Sequence, residues 1–116
     1  MRQYYQGEDI DFDLKFEKGE NPDINSFVDF SSFTVFMFTD GCYIAKFKTP
    51  NESGYGNLEL KDDKTLSGVL TSESTKLMHH GALFIEINAE YQGDSNMIRR
   101  RETGISITKN FIKSES

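Results

Sequence analysis

Cysteine is nearly missing from this chain: Cys42 is the only one among 116 residues. A lone cysteine excludes an intrachain disulfide and any zinc site built on several thiolates. Tryptophan is absent and proline occurs only twice, which rules out a proline-rich linker; with 9 glycines the chain is not low-complexity sequence either. No apolar run approaches the roughly 18 residues that a membrane span requires. The opening Met-Arg-Gln-Tyr-Tyr-Gln-Gly-Glu-Asp has no apolar stretch of the kind a secretory signal carries, so synthesis in the cytoplasm without a signal peptide is expected. A basic excess is lacking too. With 13 Lys and Arg against 19 Asp and Glu, the net charge is −6 and the pI about 4.8. Phosphate-driven nucleic-acid binding needs clustered cations, so neither nucleic acid nor membrane is an expected partner.

What the chain does have is phenylalanine, 10 residues of it, set in alternating runs. In residues 9–17, Ile10, Phe12, Leu14 and Phe16 fall on one face and Asp9, Asp11, Asp13, Lys15 and Glu17 on the other. Period-two alternation marks a half-buried strand. Phe33 to Phe38 is a second strand with apolar residues on both faces. It is either covered on both sides or presents its outer face to a partner. Asp40-Gly41 signals a hairpin, and Cys42 to Phe47 reads as the return strand. Residues 49–56 form a polar loop. Leu58 and Leu60 mark a short strand, and Leu66 to Leu70 another. Thr71 or Ser72 can cap a helical turn reaching Leu77 or Met78, with Gly81 ending it in a left-handed conformation. Leu83 to Tyr91 and Met97 to Ile107 are long strands joined by a loop at residues 92–96. The sum is one domain, residues 1–112, with a frayed tail at 113–116. Seven or eight strands, one short helical turn and no crossover helix favour an all-β antiparallel sandwich over an α/β fold.

Three segments carry a family pattern. Gln6-Gly7-Glu8-Asp9 opens an alternating strand. Ser67-Gly68-Val69-Leu70-Thr71 leads to Glu73, Thr75 and Leu77. Gly81 precedes the alternating run Leu83 to Tyr91, a polar turn, and Arg100 to Ile107. In these the chain resembles the immunoglobulin-like domain at the N-terminus of phage baseplate upper proteins and related tail components. It differs in having His79-His80 where that family usually has a proline before the glycine. The resemblance implies an immunoglobulin-like sandwich without catalytic residues. It implies a building block of a virion or phage-like particle made in a bacterial cytoplasm, a homo-oligomer whose partners are other phage structural proteins.

Candidate sites are few. Asp9, Asp11 and Asp13 have the spacing of calcium ligands, with Glu20 at position twelve, but Leu14 stands where the loop needs glycine. A solvated strand edge is the simpler reading. His79-His80 lacks acidic or cysteine partners at metal-ligand spacing, and histidine suits a helix C-terminus. Arg99 and Arg101 share one face of a strand and Arg100 the other, so the run is no nucleic-acid patch. It pairs with carboxylates such as Glu86 or Glu90, or anchors a protein interface. Of the cluster Phe27, Phe30, Phe33, Phe36 and Phe38, most belongs in a core, leaving one or two rings for an oligomer contact. Tyr4, Tyr5 and Tyr55 could offer a sugar-stacking surface. No nucleophile elbow or phosphate-binding loop is present. The expected function is structural, with contact residues Phe36, Phe38, Arg99 and Arg101 and no cofactor or metal. The alternative is a free-standing sandwich that binds a surface glycan or partner protein.

Overall fold

The computed structural model describes residues 2–41 and 43–109. Its strands are β1 (Arg2–Tyr5), β2 (Ile10–Lys15), β3 (Ser32–Phe38), β4 (Ile44–Thr49), β5 (Gly56–Asn57), β6 (Glu59–Asp62), β7 (Thr65–Leu70), β8 (Gly81–Tyr91) and β9 (Asp94–Thr108). One helix, α1 (Ser72–Leu77), and a 3-10 turn at Phe27–Asp29 complete the described elements. The strands form a six-stranded sheet in the order β1-β9-β8-β3-β4-β5 and a three-stranded sheet in the order β2-β7-β6. The fold is the all-β sandwich that the alternation predicts.

The core follows from that alternation. On β2, Ile10, Phe12 and Leu14 turn inward, in register with Leu70, Gly68 and Leu66 of β7. They meet Phe33, Val35 and Met37 of β3, Phe47 of β4, and Leu83, Ile85 and Ile87 of β8, all buried. Phe12 and Phe47 touch edge-to-face across the two sheets at 5.2 Å. That contact depends on Gly68, because a Cβ there would lie 2.6 Å from Cζ of Phe12. At one end of the sandwich an aromatic chain runs from Phe16 through Phe27, Phe33 and Phe30 to Tyr91 in successive edge-to-face contacts of 5.4–6.2 Å. The 3-10 turn that buries Phe27 is fixed by the Asp29 carboxylate, which accepts the backbone N–H groups of Asn25 and Ser26.

At the other end, α1 ties the first turn of the chain to the core. Thr71 caps the helix by accepting the N–H of Ser74. Fully buried Thr75 accepts the N–H of Gly7 and donates to the carbonyl of Glu8, each at 2.9 Å. Gln6 donates to the carbonyl of Met78, and Asp9 accepts the N–H of Ser72 at 2.6 Å. The Gln6–Asp9 opening and the turn that follows β7 are thus one hydrogen-bonded corner.

Several details differ from the sequence expectation. Among the described residues there are nine strands, because β1 and β5 are short and polar and show no alternation. Both lie at the ends of the large sheet and pair in parallel, β1 with β9 and β5 with β4. The helix stops before Gly81. It ends at Leu77, as expected, but Met78 turns extended and buries its side chain, and Gly81 begins β8 rather than closing the helix. The loop expected at 92–96 is a two-residue turn. Gln92 and Gly93 both take positive φ, the geometry that matches strand twist in tight hairpins. Cys42, the boundary at residue 112 and the tail at 113–116 lie outside the described residues.

Candidate functional site

The outer face of the six-stranded sheet is built in rows. On β3 the residues that do not enter the core are Ser32, Thr34, Phe36 and Phe38. Phe36 is in register with Lys46 of β4 on one side and Glu86 of β8 on the other. Phe38 is flanked in the same way by Ile44 and Phe84. The Phe38 and Phe84 rings stack at 5.9 Å with 13° between their planes. Both β3 rings are half-buried, and Ile44 beside them is 48% exposed. These side chains form an apolar band on a sheet surface that no other element of the fold covers among the described residues.

Charge frames the band. On the β9 side, Arg100 pairs with Glu86 at 3.8 Å and lies 6.0 Å from the centre of the Phe38 ring. On the β4 side, Lys46 and Lys48 hold their ammonium groups 5.2 and 5.5 Å from the Tyr55 ring. Lysine and arginine placed over rings in this way contribute cation–π attraction while their stems cover apolar surface.

Of the four expected contact residues, Phe36 and Phe38 lie together on this face. Arg99 and Arg101 face the other way, in register with inward-facing Ile87 and Ile85. There they bridge the two sheets at their open margin. Arg99 donates to the carbonyl of Lys15 at 2.7 Å and both arginines engage the Glu17 carboxylate. The Arg101 hydrogen bond, aided by the charge of Arg99, holds the Glu17 carboxyl below its ordinary range. Burial, partly offset by Glu17, draws the Arg99 guanidinium down. The arginine of the outer face is Arg100, paired with Glu86 as the carboxylate reading of the run anticipates. Sequence reasoning also passed over Ile44 and Phe84. The signal for Phe84 was present, since it is the one large apolar residue in the polar phase of β8, ahead of Glu86, Asn88 and Glu90.

The remaining candidates have ordinary partners. Asp13 accepts the Ser67 hydroxyl at 2.5 Å and pairs with Lys61 at 3.2 Å, which holds its carboxyl low. Asp9 is engaged by α1, so the three aspartates of the calcium spacing do not converge. Among the described residues no group of three His, Cys, Asp or Glu could hold a metal ion. His79 and His80 are exposed beyond α1, with the His79 ring against Gly41. No described helix is long and apolar enough to cross a membrane. A groove of about 1110 Å³ opens between β4–β5 and β7. Phe12 and Phe47 form its floor, and Tyr43, Ser67, Ser74, Asp11 and Lys61 contribute to its polar walls.

No family model matches the chain, and no curated protein or solved structure shows significant similarity to it.

Proposed function

We propose that this chain is a non-enzymatic assembly domain, a component of a phage or prophage tail or baseplate-like particle that works through protein–protein contacts. The observation that carries the assembly role is the outer face of the six-stranded sheet. Its band of Phe36, Phe38, Phe84 and Ile44 is framed by Arg100, Glu86 and Lys46. Apolar patches rimmed by polar groups mark protein interaction surfaces, and interface centres are enriched in aromatic residues and arginine. The particle itself rests on the resemblance carried by the Gln6–Asp9 opening, the Ser67–Leu77 strand and turn, and the closing hairpin. The test is to purify phage or phage-like particles from an induced culture of the source strain and search them by mass spectrometry. Peptides of this chain at stoichiometric levels support the reading. Their absence from particles that contain the other expected structural proteins overturns it.

One observation favours a second reading, a free-standing module for a surface glycan. The groove beside β5 sets hydroxyls and charged groups around an apolar floor, the mix of apolar surface and a few polar groups that small-molecule sites have. Saturable glycan-array binding by the isolated protein, lost on Tyr43→Ala, would support that reading.

A further inference from the structure

The outer face has an internal symmetry of charge. Along one row perpendicular to the strands lie Tyr55, Lys46, Phe36, Glu86 and Arg100. Register fixes the order from Lys46 to Arg100, and Tyr55 immediately precedes Gly56, the partner of Phe47 on β5. Phe36 is at the centre. A cation and a carboxylate flank it at one strand spacing, about 4.8 Å on either side, and a ring and a guanidinium stand at the two ends. The next row repeats the pattern in apolar form, with Ile44 and Phe84 flanking Phe38. The face is therefore complementary to its own image reflected across β3.

We infer that this face pairs with the same face of a second copy of the chain, about a two-fold axis running along β3. The inference rests on the assembly reading and names its partner. In a two-fold contact each residue meets the partner of its own counterpart. An axis along β3 sets Lys46 of one copy against Glu86 of the other, twice. It sets Arg100 against the Tyr55 ring, Ile44 against Phe84, and the two Phe36 rings and the two Phe38 rings against each other. An axis across the strands, between the Phe36 and Phe38 rows, would instead press Lys46 onto Ile44 and Glu86 onto Phe84, so that neither charge meets an opposite charge across the contact.

The test uses the full chain in sedimentation experiments with K46E, E86K, the double variant K46E/E86K, and an equimolar mixture of the two single variants. The expected result is a wild-type dimer, with each single variant weakened about tenfold or more by like charges facing across the axis. Restored dimer in the double variant, and heterodimer in the mixture, complete the expected pattern. The mixture also shows that both single variants are folded. A wild-type dimer indifferent to these substitutions, or failure of both the double variant and the mixture to associate, overturns the two-fold arrangement. A wild type that stays monomeric at all concentrations overturns it as well. The assembly reading is judged separately, by whether the chain is found in purified particles.

Discussion

Gly68 shows how a single missing side chain shapes the core. Its partner across the ladder, Phe12, lays its ring over the bare backbone and from there reaches Phe47 in the opposite sheet. A methyl at this position must displace the ring from a packed site, and overpacking of this kind costs about 1–3 kcal/mol. Gly68→Ala is therefore expected to lower the urea midpoint with the slope unchanged. Two carboxylates act by charge. The Ser67 hydroxyl and then Lys61 depress Asp13 below its ordinary 3.8, and Arg101 with Arg99 depresses Glu17 below its ordinary 4.5. A carboxyl whose folded value lies below its unfolded one adds stability that is present above the unfolded value and lost as pH falls through the folded one. Stability is thus expected to hold between pH 7 and 5 and to decline as pH falls through about 4 and below. Urea titrations of Asp13→Asn and Glu17→Gln should show a shallower acid decline than the wild type.

Among elements, the β8–β9 hairpin carries most of the irregularity. Its turn places Gln92 at φ 50° and Gly93 at φ 87°. Asparagine tolerates the first of these better than glutamine does, so Gln92→Asn is expected to stabilise the protein by about 0.5 kcal/mol, read as a higher urea midpoint. The same hairpin marks the limit of what sequence discloses. β2 was legible from its unbroken period of two, β8 from a period of two broken only at Phe84, and β3 from its density of apolar and aromatic residues. β9 was legible as a strand, and so was the alternation of its arginines, but their partners were not. Its register with β8 shifts twice, opposite Ile87–Asn88 and Ala82–Phe84. At the second shift the Thr103 hydroxyl donates to the carbonyl of Leu83 and accepts the N–H of Ile105. The shift at Ala82–Phe84 inserts two residues of β9 and so leaves the phase of the strand unchanged. Buried Ile105 and Ile107 therefore lie on the same side as Arg99 and Arg101, and Arg100 on the other. Alternation could pair Arg99 with Arg101, but only the tertiary fold could show that they meet Glu17 at the margin between the sheets while Arg100 joins the apolar band. β1 and β5 have no periodicity, since each is short and borders solvent.

At the scale of the molecule, one broad face is polar and the other holds the aromatic band. On the outer side of the three-stranded sheet, Lys61 covers Asp13 and Ser67, and Lys15 donates to the Thr65 hydroxyl. Phe36, half-exposed between Lys46 and Glu86, contributes modestly to the monomer and is placed to contribute far more to a contact. Phe36→Ser is expected to cost about 1 kcal/mol in urea unfolding, the scale of cross-strand side-chain pairing. The same variant is expected to remove self-association in light scattering, and a large loss of stability without loss of association would contradict that placement. The first and last of the described strands also sit side by side, with Arg2 opposite Ile105 and Tyr5 opposite Thr108, and both run in the same direction. Tension applied through Arg2 and Thr108 would draw these strands in opposite directions along their length. Every hydrogen bond between them would then strain at once, because parallel strands pulled from opposite ends slide rather than peel. A domain threaded by its ends into a stretched fibre or a contracting tube would meet force in its stiffest direction.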